Sequence, residues 1–345
     1  MLTSDFDYPL PSDQIASHPA PRGRSRLMVV PANSDNRLLG FSDLPSLLRP
    51  GDLLVLNNTR VLAARLFAVK EETGARIEVL LVQAEEDEQT WRSLIKPAKR
   101  LGPGDRLTFE GGLTAIASER LEGGSMILRF SEPPAPLLDR IGHVPLPPYL
   151  GRQDTEEDRE RYQTVYASRP GAIAAPTAGL HFSVALLDEL RRGGVEIAEL
   201  TLHVGPGTFR PVTADDLTEH KMELERYSVS RETADCVERA RRDQRRVIAV
   251  GTTVVRALES AARDDSGGLR RGAQTTGLFI VPGHRFRTVD CLLTNFHLPK
   301  STLLMLVSAF AGHARVMAAY RQAIGSGFRF YSYGDAMFLE RSDGG

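Results

Sequence analysis

Apolar and polar positions along the chain alternate between the patterns of buried strands and of one-faced helices. Residues 27–30, Leu-Met-Val-Val, form a short apolar run, and residues 51–57 read as a second strand ending in Asn57-Asn58-Thr59-Arg60. From residue 61 to about 130 the texture changes. Short alternating segments, such as Arg76-Ile77-Glu78-Val79-Leu80-Leu81-Val82 and Arg106-Leu107-Thr108-Phe109, are divided by glycine pairs and acidic turns. That spacing predicts a small antiparallel barrel or sandwich, set between residues 1–60 and 149–345 as an insertion over 61–148 whose proline-rich end is a return linker.

Beyond the insertion the spacing predicts a charged helix over 154–166 and a helix over Val184–Arg192 capped by Ser183, followed by a strand over 195–204. A buried strand at 246–250 feeds a helix with Val254, Leu258 and Ala261 on one face. Strands are expected at 277–281 and 291–294, an apolar helix capped by Ser301 at 303–310, and a last helix at 313–324. Residues 328–338 read as a strand closing on a polar, aromatic turn.

Polar residues gather where these strands end. Asn57, Asn58, Thr59 and Arg60 follow one strand; His203 follows another, before Gly205-Pro206-Gly207-Thr208-Phe209; Thr252 and Thr253 sit between strand and helix, with Arg256 one turn in. Asn295, His297, Lys300 and Ser301 follow a fourth strand. Ala174 to Phe182 adds Thr177, Gly179 and His181 in a loop of small residues just before a helix start, where N–H groups favour an anionic or polar ligand. Several strand ends bearing His, Asn, Thr or Lys are what one pocket along one sheet edge requires. For each stretch alone, a tight turn, an Asx-turn or a helix cap is the competing reading.

Composition narrows the classes. With 43 Lys+Arg against 44 Asp+Glu, the chain does not grip nucleic acid by bulk charge, so any such contact is local. Lys96, Lys99 and Arg100 in an insertion loop are the candidate nucleic-acid-binding patch, with a solubilising loop as the alternative. Cys236 and Cys291 lack metal-ligand spacing, no run is long enough for a membrane span, and no leader is visible, so a cytoplasmic protein without bound metal is expected. The glycines at 205 and 207 do not complete a dinucleotide fingerprint.

Taken in order, Asp5-Phe6-Asp7-Tyr8-Pro9-Leu10-Pro11, Asn57 to Val61, Gly142 to Tyr149, Tyr162 to Ala167, Ala172 to Phe182, Leu202 to Phe209, Ala249 to Arg256, Thr294 to Gly312 and Tyr331 to Met337 resemble the S-adenosylmethionine:tRNA ribosyltransferase-isomerases of queuosine biosynthesis. The resemblance implies an α/β fold, a large α/β sandwich domain interrupted by a small antiparallel β-barrel. It implies that S-adenosylmethionine is consumed as a ribosyl donor, with no further cofactor. The acceptor is then the aminomethyl group of a 7-deazaguanine at the tRNA wobble position, and the products are epoxyqueuosine-tRNA, adenine and methionine. The partners implied are tRNA and S-adenosylmethionine, with no membrane and no obligate protein partner, which is compatible with a monomer.

On that resemblance His181, His203, His297, Glu225 and Asp335 are the candidate proton-transfer, orienting or charge-pairing groups. Asn57, Asn58, Thr59, Arg60, Thr177, Gly179, Phe182, Thr208, Phe209, Thr252, Thr253, Arg256, Asn295, Lys300 and Ser301 are candidates for holding donor or base. Two positions depart from the family pattern: Glu223 stands where a histidine is usual, and Gly277 where an acid is usual. An RNA-binding protein without turnover and a small-molecule S-adenosylmethionine methyltransferase are the rival classes; their products tell them apart.

Overall fold

A computed structural model describes residues 1–209, 212, 214–263 and 268–342, with Thr208 and Phe209 placed by backbone alone. The chain divides into two compact units, one of Met1–Arg60, Tyr149–Gly151 and Gln163–Gly345, the other of Val61–Pro148 and Arg152–Tyr162.

The first unit is built on a nine-stranded sheet. Its strands are β1 (Arg26–Val30), β2 (Arg37–Gly40), β3 (Leu53–Asn57), β4 (Glu196–Leu202), β5 (Glu225–Val229), β6 (Val247–Val250), β7 (Gly272–Thr276), β8 (Cys291–Asn295) and β9 (Ala336–Glu340). They lie in the order β7-β5-β4-β3-β6-β8-β9-β1-β2. The inner four, β4-β3-β6-β8, are mutually parallel. β3, β6 and β8 are buried along their whole length because both of their faces are covered, whereas β4 keeps Glu199 exposed.

Among the described residues, five helices cover the sheet: α1 (Val184–Arg192), α2 (Arg231–Arg242), α3 (Thr252–Ala261), α4 (Thr302–Ala311) and α5 (His313–Gly325). Alternation sends Leu53 and Val55 into the core shared with α2, α3, α4 and α5, and Leu54 and Leu56 into the core shared with α1. The serine caps at 183, 230 and 301 each accept a backbone N–H inside the helix they start.

The second unit is a closed six-stranded antiparallel barrel, in the order Ser125–Phe130, Thr90–Lys96, Arg76–Ala84, Arg65–Lys70, Arg106–Phe109, Thr114–Arg120. Closure rather than a sandwich follows because the first and last of these strands pair with each other, leaving no open edge. Leu66, Val79, Ile95, Leu107, Ala117 and Leu128 fill its interior.

Three expected elements differ. The strand placed at 277–281 is Gly272–Thr276, which adds to the edge of β5, while the apolar residue Ile280 is buried as irregular chain. The helix of 154–166 is only Glu156–Arg161, ending where Tyr162 leaves the spiral to bury its ring completely. Within 328–338 the turn precedes the strand: Tyr331 takes φ 74° and β9 begins at Ala336.

Candidate active site

Parallel pairing puts the carboxyl ends of β4, β3, β6 and β8 on one edge of the sheet. Strand β9 runs antiparallel to β8 with Ala336 opposite Asn295, and β1 runs parallel to β9 with Leu27 opposite Ala336, so the starts of β9 and β1 join the same edge. A cavity enclosing about 690 Å³ up to its open mouth lies there. Its walls are the 174–178 loop, Val204, the Gly251-Thr252-Thr253 start of α3, residues 294–298, Ser301, Leu303, and Tyr149, Tyr331 and Ser332. Gly251 holds φ 93°, which lets β6 turn directly into α3 and present the first N–H groups of that helix to the cavity.

The three candidate histidines differ in what their rings touch. His181 is buried against Phe41, with Nδ1 2.9 Å from Ser25 Oγ and Nε2 3.2 Å from Asn295 Nδ2. The Asn295 amide also donates to Tyr331 O at 3.0 Å, which fixes its orientation. His181 Nε2 therefore accepts, and Nδ1 carries the proton towards Ser25. Both ring nitrogens are occupied.

His297 lines the cavity with Nε2 2.9 Å from Thr294 Oγ1, and its Nδ1 has no hydrogen-bond partner among the described residues. Its backbone is clamped by Tyr320, whose hydroxyl accepts from His297 N–H at 2.9 Å, and by the Tyr8 hydroxyl, which donates to its carbonyl. His203 bonds Thr59 Oγ1 through Nδ1 at 2.8 Å and packs against Gly171, but is not among the described residues lining the cavity.

Burial holds these rings neutral. It pushes His181 down to about 4, helped by the Arg329 and Arg22 charges, and His297 down to about 3; His203 is also lowered, by burial and then by Arg226. In the unfolded chain each titrates near 6.5, so below that pH the unfolded state binds protons that the folded state refuses. Stability is therefore complete above 6.5 and is expected to fall as pH drops towards 4, by up to about 1.4 kcal/mol per pH unit for each buried histidine. Urea midpoints measured across that window check this; a midpoint that does not move counts against it.

Several other candidates serve the frame of the site. Asn57 is fully buried, with Oδ1 accepting from Leu202 N and Thr59 N and Nδ2 donating to Leu202 O, so it locks β3 to β4. Asn58 bridges Glu199 and Thr201, and Arg60 is exposed. Asp335 accepts the N–H groups of Arg26 and Arg329 at 2.9 and 2.8 Å, tying the starts of β1 and β9. Glu225 forms a buried ion pair with Arg256 and accepts Gly205 N at 2.9 Å; Arg256 also donates to Leu278 O. Phe182 packs edge-on to Phe41 in the core, and Lys300 pairs with Asp7 at 2.8 Å. Lys96, Lys99 and Arg100 are exposed, but not on one loop as expected: Lys96 ends the barrel strand Thr90–Lys96, and Lys99 and Arg100 lie in the turn after it. The side chains of Thr208 and Phe209 lie outside the described residues.

Gly179 is a packing requirement. A β-carbon there would stand 2.1 Å from the Tyr166 hydroxyl and 2.7 Å from Thr164 Cγ2. Gly179→Ala is expected to cost about 1–3 kcal/mol through overpacking, read as a lower urea midpoint; an unchanged midpoint would show that Tyr166 yields freely. Tyr149, Tyr331, Ser332 and Thr294, which the strand-end argument passed over, also line the cavity. The signal for them was present, since Tyr149 and Tyr331 end and begin two of the quoted motif stretches. Their rings stack at 4.4 Å and 26°.

The family model for queuosine biosynthesis protein matches residues 3–339. An S-adenosylmethionine:tRNA ribosyltransferase-isomerase of Pelobacter propionicus is 50% identical over 99% of this chain and 100% of its own, and one of Gloeobacter violaceus is 52% identical over 98% and 96%. The crystal structure of an S-adenosylmethionine tRNA ribosyltransferase from Thermotoga maritima aligns with a TM-score of 0.55 at 37% identity, covering 97% of this chain and 100% of that one.

Proposed function

The chain belongs to the queuosine biosynthesis protein family, and from that premise we infer that it is an enzyme that transfers and isomerises the ribosyl group of S-adenosylmethionine onto tRNA. The observation that carries the reading is full-length identity of about half to ribosyltransferase-isomerases, joined to a cavity at the sheet edge where the family-like stretches converge.

The acceptor is the aminomethyl group of a 7-deazaguanine at the wobble position. The donor sulfonium acidifies the neighbouring 5′ carbon; loss of that proton opens the ribose and expels adenine. The neutral amine then attacks, and the alkoxide that results displaces methionine and closes the epoxide. His297 is the cavity histidine with a ring nitrogen left for ligand, and we assign it the proton-handling role, with Thr294 orienting the ring. Thr177, Thr252, Thr253 and Ser301 supply hydroxyls at the wall. His181, Asp335, Asn57 and the Glu225–Arg256 pair hold that wall in place.

S-adenosylmethionine is a substrate, and no group of His, Cys, Asp and Glu suited to a metal occurs among the described residues. No single described helix is long and apolar enough to cross a membrane. Acting on tRNA, the enzyme is proposed to work in the cytoplasm, without an obligate protein partner. The exposed Lys96, Lys99 and Arg100 are the tRNA contact of the barrel, a local one, because acids outnumber bases in that unit.

Product analysis after incubation with S-adenosylmethionine and precursor tRNA tests the reading. Adenine and methionine in equal amounts are expected. S-adenosylhomocysteine would identify a methyltransferase, and no products despite tRNA binding would identify a binding protein.

A further inference from the structure

The cavity carries chemistry that the reaction class alone does not specify. None of its described lining residues is Asp, Glu, Lys or Arg. Its wall includes the stacked Tyr149 and Tyr331 rings and Phe296. Tyr331 keeps φ 74°, a conformation costly for an aromatic residue, and is held there by its carbonyl bond from Asn295 and its N–H bond to Phe296 O at 3.1 Å. Asn295 is 2% exposed, and both hydrogens of its amide are directed, one to Tyr331 O and one to His181 Nε2. Its Oδ1 is buried without a partner. A buried amide oxygen left unsatisfied is costly, and this one belongs to a residue that lines the cavity.

We infer that this cavity is the subsite for the adenine base of S-adenosylmethionine, and that Asn295 Oδ1 accepts a hydrogen bond from its exocyclic amine. The inference rests on the reaction proposed above. A flat, neutral, aromatic ligand with a donor edge matches an uncharged, aromatic wall with one orphan acceptor. The other parts of the substrates match less well. The methionine end carries an ammonium, a carboxylate and a sulfonium, for which the wall offers no charged side chain. The deazaguanine also has a donor edge, at N1–H and its 2-amine, but it arrives with an aminomethyl cation for which the wall offers no carboxylate. His181 is then a positioning residue that acts through Asn295: the bond to Tyr331 O orients the amide, and His181 Nε2 takes its second hydrogen, so that Oδ1 stays turned away from both.

Calorimetric titration of the full chain, in the presence of tRNA lacking the precursor base, tests this with S-adenosylmethionine and with its analogue bearing unsubstituted purine in place of adenine. The wild-type protein is expected to bind the analogue roughly tenfold more weakly, the loss expected for one buried hydrogen bond. Asn295→Ala is expected to bind both alike. His181→Phe, which keeps a ring against Phe41, is expected to narrow the ratio, an effect that loss of stability alone would not give. Equal wild-type affinities would overturn the subsite and leave the reaction standing. Failure to bind either ligand would overturn both.

Discussion

Replacing Arg256 with methionine is expected to lower the free energy of unfolding by about 3–5 kcal/mol, the usual cost of stranding one member of a buried ion pair. Arg256 and Glu225 are 4% and 7% exposed, so water cannot replace either partner. The guanidinium joins the first turns of α3 to β5 and to Leu278 O, while the carboxylate also holds Gly205 N. Such a loss is a large share of the roughly 5–15 kcal/mol that a folded domain has. It falls on the helix whose start forms one cavity wall. Combining Arg256→Met with Glu225→Gln is expected to recover much of the loss, because no charge is then left unpaired. Urea unfolding measures both; a single variant within about 1 kcal/mol of the parent would show that the pair contributes little.

His297→Ala is expected to slow adenine release by roughly 10²–10⁴-fold, the range for removing a positioned proton-transfer group. His203→Ala is expected to slow it by less than about tenfold, because that ring is not among the described residues lining the cavity. The contrast follows from ring contacts. His297 has Thr294 on one nitrogen and no described partner on the other, whereas both nitrogens of His181 are taken within the protein. Single-turnover release of adenine, with S-adenosylmethionine saturating, separates the cases, and His297→Asn serves if the alanine variant folds poorly. Folded His297 variants that keep the parent rate to within about threefold would remove this histidine from the chemistry.

Much of the frame was legible along the chain because its causes are local. Ser183 and Ser301 announced their helices, since a hydroxyl before an apolar-periodic run satisfies a free N–H wherever the helix packs. Polar residues after four strands announced an edge, and parallel pairing delivered it. What a polar side chain does at that edge depends on partners far away in sequence. Asn57 and Asn295 both follow strands, yet Asn57 spends its amide on Leu202 and Thr59 while Asn295 keeps an oxygen unpaired. Phe182 follows His181 in a loop of small residues, and only the position of Phe41 makes it core. The stretch 277–281 has the apolar content of a strand, but β5 pairs with the five residues before it. Alternation alone left barrel and sandwich open, because it fixes which residues face inward and not which outer strands meet; the resemblance implied the barrel, and the pairing of the outer strands bears it out.

The central claim is that the ribose of S-adenosylmethionine ends on the tRNA base. Supplying the donor with 13C confined to its ribosyl carbons, and weighing the nucleosides released from digested tRNA, tests it most directly. All of the ribosyl label should appear in one epoxycyclopentanediol-bearing deazaguanosine, in step with unlabelled free adenine and methionine. Label that stays with a sulfur-containing small molecule while the tRNA gains none would contradict the account.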